Sequence, residues 1–466
     1  MRFAAVFLPY ALAAFLIGLV GGASSLLGPA FVADLGLDSV NTTWTALAQA
    51  MSTAACAPIL GKVGDSFGRG RTLLAGLTVF LAGNILSALA GSLGLMLAAR
   101  FIVGIGTAAM APLILACITT ELPPEKTARG FSVYMLISGG AVILGALLGT
   151  VLLRRGWRVM QWGCAAASAA VLPVCLLTVC KHPSPPVHAP LNWRGAVPVV
   201  LFFSLALCLP AVTQTFGWGS APLGIVAMLC AVALIWLVRS EKLARQPVLS
   251  GQLLRQRVFL CSVAALFLTQ GLLQANVTNV LMFIRDAQPE NAALSGYAVC
   301  VLYAGVSAGA ILLGPLADRA DPRLVLAGAM ALTGGGCALL LLFGSAMPLW
   351  LPALALGLLG FGLGAGGTIL MKVALSRLNR QQAGAAAGTY GLFRDLAAPF
   401  GVAVLVPLYT NRATALHGAG LTAAAAAQQA MHTLGAVELG CIAAGLIAAW
   451  LLPGREERKE SHETGK

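Results

Sequence analysis

An all-helical, polytopic membrane protein is predicted by three features of this sequence: an excess of apolar residues, a shortage of charge, and a succession of apolar runs of membrane-crossing length. Apolar residues make up 59% of the 466 and charged residues 10%, against about 45–50% and about 25% in soluble domains. A span needs about 20 mainly apolar residues. Candidate spans fall at 5–27, 44–61, 72–90, 95–117, 130–153, 159–180, 197–216, 222–239, 258–281, 294–316, 324–344, 348–371, 385–409 and 433–452. They must be helices, because only helices and closed barrels satisfy every backbone group in lipid. The runs are too long and too evenly apolar for barrel strands.

The first run follows Arg2 and could pass for a secretory signal, but with so many spans behind it a retained first span is the better reading. Lys and Arg set the orientation. With the N-terminus inside, 22 of the 29 fall in cytoplasmic segments and five (Arg154, Arg155, Arg158, Arg285 and Arg412) in outer loops. The last two, Arg100 and Arg394, lie within spans. This bias places both termini in the cytoplasm, with 154–158 a local exception. It also accounts for the excess of basic over acidic residues without a nucleic-acid partner.

The even count divides as six, two and six. An N-terminal six-helix bundle is predicted over 1–181 and a C-terminal one over 258–452. Between them, 182–257 holds a proline-rich loop, the extra pair 197–216 and 222–239, and a basic connector at 239–257 read as an amphipathic segment on the cytoplasmic surface. The tail 453–466 mixes both charges and is read as disordered.

The eleven cysteines lie in or beside apolar runs without a Cys-x-x-Cys pair, and read as small apolar filler. The five histidines have no metal-ligand spacing, so no metal site is expected. A membrane-embedded enzyme such as a lipid transferase would need His, Asp or Glu clustered at one interface; here the histidines are scattered. No ring-forming selectivity sequence suggests a channel.

Two charged, glycine-rich stretches organise the rest. The stronger, 61–71, contains Gly61, Gly64, Asp65, Gly68, Arg69 and Arg71 and reads as a tight cytoplasmic turn. Asp65 and Arg69, four apart, can pair, or the carboxylate can sit at another helix N-terminus. Either contact makes a latch; the plain alternative is a basic loop obeying the positive-inside rule. A weaker echo with Asp318 and Arg319 lies at 314–323, the corresponding place of a second half.

The 61–71 stretch resembles the signature of the major facilitator superfamily between its second and third spans. Trp44 and Pro58 keep the spacing to Gly61 seen in the fourteen-span drug:proton antiporter branch, the multidrug and quaternary ammonium exporters. Arg100, Gly104 and Gly106 resemble that branch's fourth-span motif, with Val103 in place of Gln. Gly145 and Gly149 resemble its fifth-span motif, with Ala146 and Thr150 replacing a Pro and a Gly. Gly156, Trp157 and Arg158 match the opening of its sixth span, and 388–401 resembles its thirteenth, with Asp395 where Gln is usual. The usual first-span acid falls at Val20 and is absent. The similarity covers roughly 28–410.

The resemblance implies the major facilitator fold, two six-helix bundles plus two extra helices, in a bacterial inner membrane. It also implies proton-coupled efflux of amphipathic organic compounds, with no cofactor and the proton gradient as energy source. The altered fifth-span motif leaves uptake or facilitated transport of a small metabolite open. A periplasmic adaptor is not readable from the sequence.

An ionisable residue within the hydrocarbon is a functional-site candidate by default. Of sixteen acids, Asp395 is the one deep in a span, about ten residues in from 385; Glu438, placed near the outer end of the last span, is the reserve. At about 1.5 Å per residue Asp395 reaches the middle of a ~30 Å core. It is read as the protonatable carboxylate tuned by Arg394 or Arg100, or else as half of a structural ion pair. Arg100 belongs by resemblance to the coupling or gating machinery; snorkelling to the interface is its plain alternative. Gln270 and Gln274 share one face of span 258–281, followed by Asn276 and Asn279, and either line a cavity or bond between helices. Gly360, Gly362, Gly364, Gly366 and Gly367 read as close-packing positions.

Overall fold

The computed structural model describes residues 2–24, 27, 39–121, 124–181, 193–217, 219–243, 256–288, 295–314, 316–344, 347–348, 350–375 and 380–450. Among them fourteen long helices stand, one on each candidate span. They are α1 (Arg2–Ser24), α2 (Ser39–Phe67), α3 (Arg69–Ala88), α4 (Leu93–Glu121), α5 (Pro124–Leu153), α6 (Trp157–Lys181), α7 (Trp193–Phe216) and α8 (Ala221–Leu243). After them come α9 (Arg257–Ala287), α10 (Ser295–Leu313), α11 (Pro322–Leu340), α12 (Trp350–Leu375), α13 (Arg380–Gly418) and α14 (Ala423–Trp450), with a single turn at Leu316–Arg319 before α11. Ten are long and apolar enough to cross a membrane by length and composition, and α7 and α10 hold shorter apolar stretches. α2 and α13 are not among the ten; both run well past their apolar centres. The proline-rich loop, the connector beyond Leu243 and the tail lie outside the described residues.

Two helix boundaries differ from expectation with consequence. The 61–71 stretch is not a loop: α2 continues through Phe67, and the chain breaks at Gly68 alone before α3 starts at Arg69. Gly61 and Gly64 stay helical because they face Pro112 and Leu113 of α4. Gly68 has φ +100°, which side-chain-bearing residues rarely adopt, so the reversal is concentrated there. α14 begins ten residues earlier than the apolar run suggests, because an alanine-rich stretch with two glutamines extends it. Glu438 therefore sits sixteenth of 28 residues, mid-helix rather than near an end.

The chain forms two compact units. One comprises Met1–Gly251 with Gly384–Pro399 and the other Gln252–Ala383 with Phe400–Lys466. In the first unit α4 packs on α1, α2 and α3, α6 packs on α1 and α3, and α1 pairs with α5. In the second unit α12 packs on α9, α10 and α11, and α14 packs on α9 and α11. The shared pairing scheme, offset by eight helices, is what a duplicated six-helix element produces. The extra helices α7 and α8 pair with each other, and α7 leans on α2.

Glycine makes these pairings close, since small residues let helix backbones approach where lipid supplies no hydrophobic drive. A Cβ at Gly145 would strike the Leu19 carbonyl, and one at Gly22 the Val142 carbonyl, so α1 and α5 touch backbone to backbone. α10 and α12 repeat this device: Gly309 faces the Phe361 carbonyl, Gly360 that of Leu302, and Gly364 that of Val306. Gly362 does the same toward α11. Gly366 departs from the packing expectation, whereas Gly367 meets it. A Cβ at Gly366 would meet only Leu326 at an ordinary 3.8 Å, and one at Gly367 would meet the Gln270 amide at 3.2 Å.

The echo stretch is also more structured than a turn. Asp321 caps α11, its Oδ1 accepting from Arg323 N at 3.0 Å with Pro322 at the first helical position. Asp321→Ala is expected to cost about 1 kcal/mol, read as a lowered thermal midpoint in detergent with transport otherwise retained.

Candidate functional site: buried polar centres in each unit

In the first unit the centre is Arg100. It stands eight residues into α4 and is 3% exposed. Its Nη1 donates to Ser24 Oγ of α1 at 3.2 Å and to Gln49 Oε1 of α2 at 3.4 Å. The Cys164 thiol of α6 is a further electrostatic neighbour. One planar guanidinium thus ties α4 to α1 and α2, which its forked donors suit better than an ammonium would. This burial sets aside the snorkelling alternative. The two glycines that follow explain why the site can form: Gly104 lets α4 lie against the Gln49 carbonyl and Ser52, and Gly106 against the Phe80 backbone. Thr53 Oγ1 also donates to the Gly104 carbonyl at 3.2 Å, adding a second polar tie between α2 and α4.

On α13, Arg394 is half-buried, with Tyr390 one turn earlier as an electrostatic neighbour. Phe393 beside it meets Phe203 of α7 edge-on, with centroids 6.3 Å apart. The side chains of Asp395, Asp65, Asp318 and Arg319 lie outside the described residues. Arg69 is half-buried and Arg71 exposed, flanking Gly70, which packs on Val179 of α6. The basic cluster at 154–158 has a structural role at one member, Arg158 in the first turn of α6: it stacks over the Trp157 ring at 4.4 Å, and its Nη2 donates to the Ala90 carbonyl at 3.4 Å. In the fifth-span motif Gly145 and Gly149 are both buried, and Thr150 turns its hydroxyl back to the Ala146 carbonyl at 2.8 Å.

In the second unit α9 carries two polar faces. Gln270 and Gln274 are half-buried, and Tyr303 of α10 donates to Gln274 Oε1 at 3.4 Å. Gln270 lies against Gly367 of α12. Asn276 and Asn279 are fully buried on another face. There Asn276 Nδ2 donates to Glu438 Oε1 of α14 at 2.8 Å, and Asn279 Nδ2 to the Leu405 carbonyl at 3.4 Å. Thus interhelical bonding is realised at Gln274, Asn276 and Asn279. Ser24, Gln49 and Tyr303 were not singled out by sequence reading. Each is an ordinary residue of an apolar run whose significance comes from a partner far along the chain. Among the described residues no three His, Cys, Asp or Glu side chains converge as a metal site would require.

Residues 10–402 match the model of the Major Facilitator Superfamily. The chain belongs to that superfamily. It is 25% identical to multidrug resistance protein 3 of Bacillus subtilis, over 82% of this chain and 74% of the relative. Drug efflux pump JefA of Mycobacterium tuberculosis is 29% identical over 78% of this chain and 72% of its own length. Puromycin resistance protein pur8 of Streptomyces alboniger is 28% identical over 94% and 88%. Among solved structures, an auto-inhibited POT family peptide transporter aligns with TM-score 0.69 at 16% identity, covering 96% of each chain. A human organic anion transporter aligns with TM-score 0.59 at 19% identity, covering 96% of this chain and 98% of its own. These likenesses establish the fold: this is an all-helical major facilitator transporter with relatives named for drug efflux.

Proposed function

We propose that this facilitator exports amphipathic organic compounds in exchange for protons, by alternating access, from a bacterial inner membrane that it crosses fourteen times with both termini cytoplasmic. The observation that carries the reading is Arg100, a fully buried guanidinium bridging three helices, in a chain matched along most of its length to drug-resistance proteins. A charge at that depth is too costly to keep for packing alone. Arg100 and Arg394 are assigned to coupling, with Asp395 as the carboxylate where substrate and proton compete. Gln270 and Gln274, half-buried beside Tyr303, are assigned to the substrate cavity. The latch of the cytoplasmic face is assigned to Asp65 and Arg69 around the Gly68 break. A single carboxylate assigned to the substrate, Asp395, suits a monocation or neutral amphiphile better than a dication.

Everted vesicles with an acidic lumen test the coupling. Addition of a substrate from a panel of amphipathic drugs is expected to dissipate the gradient with wild type and not with Asp395→Asn. Equal dissipation by the mutant would remove Asp395 from the mechanism. A second reading, uptake of a metabolite, is favoured by one observation: Ala146 and Thr150 stand where the exporter branch has Pro and Gly. It predicts that no drug dissipates the gradient in this orientation.

A further inference from the structure

The second unit encloses a carboxyl that the assignments above do not use. Glu438 is 0% exposed, packed by α14 between α9 and α11. The groups that face it are few. From α9 comes the Asn276 amide, from α11 the Cys337 thiol, and from α14 itself Cys441, one turn on. No described lysine or arginine pairs with it.

This cluster has more buried acceptors than hydrogens to fill them. Asn276 Nδ2 has two hydrogens; one goes to the Leu272 carbonyl at 3.0 Å and the other to Glu438 Oε1 at 2.8 Å. Its donors are spent, and an amide oxygen can only accept. Yet Asn276 Oδ1, Asn279 Oδ1 and Glu438 Oε2 are all buried without a well-formed hydrogen bond among the described residues. Buried polar atoms are nearly always partnered, and each exception calls for an explanation. The cluster has acceptors to spare, and the further donor that reaches Glu438 is the Cys337 thiol, a weak one; a carboxylate so thinly paired is among the most expensive groups to bury.

We infer that Glu438 is a proton-binding site of the second unit, with Asn276 anchoring Oε1 while the proton rides on Oε2. Binding forms one O–H bond at Oε2 with a proton taken from water, and release returns that proton to water. Because the carboxyl has no exposed surface, exchange with water requires α14 to part from α9 and α11. Proton loading is thereby tied to a helix movement rather than to direct competition with substrate, which distinguishes it from the Asp395 assignment. The consequence for transport rests on the proton-coupled reading above; the binding of a proton does not.

The test uses the purified full-length protein in lipid nanodiscs, by infrared difference spectroscopy between roughly pH 5 and pH 9. A protonated-carboxyl band is expected in wild type and in Asp395→Asn, lost when Glu438→Gln is added to Asp395→Asn, and moved in frequency when Asn276→Ala is added to that same background. In proteoliposomes Glu438→Gln, a neutral mimic of the protonated form, is expected to exchange substrate for substrate but to release fewer protons per substrate than wild type, with the share carried by Asp395 remaining. A band of Asp395→Asn that persists when Glu438→Gln is added overturns the proposal. So does a band unmoved by Asn276→Ala, which serves even where the glutamine variant does not fold. If the band behaves as expected but no substrate moves protons in wild type, the proton site stands and the antiport reading falls.

Discussion

Replacing Arg100 by lysine is expected to lower substrate export about tenfold or more, the consequence of losing ~1.4 kcal/mol or more of a required interaction, while the protein still inserts and purifies. A lysine keeps the charge but cannot present two donors in a fixed plane to Ser24 and Gln49, which lie on different helices. Arg100→Met goes further by removing the donor altogether. It leaves the half-buried Gln49 and Ser24 oxygens without that donor, at about 1 kcal/mol. Export per mole of reconstituted protein, with the melting midpoint measured on the same sample, separates the two effects. Full activity of the lysine variant would mean that Arg100 contributes charge and not geometry. Ser24→Ala, which removes one of the two named acceptors, should fall between wild type and Arg100→Lys.

The second large effect concerns packing. Gly364→Ala is expected to destabilise the second unit by about 3 kcal/mol, because its Cβ would enter the Val306 backbone, which cannot step aside as a flexible side chain could. Two residues on, Gly366→Ala should be tolerated and even stabilising by up to about 1 kcal/mol, since alanine favours helix and the new methyl finds Leu326 at 3.8 Å. Fluorescence-detected size-exclusion after graded heating compares the pair directly. Equal midpoints for the two variants would show that α10 and α12 are not held by backbone contact.

The same contrast marks what could be read in the sequence. The apolar runs place all fourteen helices, because a lipid-facing helix must be apolar almost all round and that signal is local. Glycine clusters announced close packing, but not which glycine meets a backbone and which meets open space. Gly364 and Gly366 differ only in what lies opposite them. Asp395 and Glu438 stood out as acids in apolar surroundings. Glu438 was nevertheless placed at a helix end, because the alanine-rich start of α14 is a weaker hydropathy signal than the run behind it. Its partner Asn276 lies 162 residues away, and Ser24 lies 76 residues from Arg100. No local pattern carries such pairings; they follow from the duplicated order of helix contacts. The Gly68 break was misjudged for the opposite reason. Three glycines and several charges look like a loop, yet packing against α4 keeps the first two helical.

The measurement that bears most directly on the transporter's action is uphill transport by the purified protein in proteoliposomes under a pH gradient alone. A permanently charged amphipathic cation serves as substrate, so that weak-base trapping cannot mimic transport, with protein-free liposomes as reference. Proton-coupled export predicts accumulation of the cation in liposomes with an acidic lumen, abolished when the gradient is collapsed by an ionophore. Accumulation in liposomes with an alkaline lumen instead would show that proton and substrate travel together, and would contradict antiport.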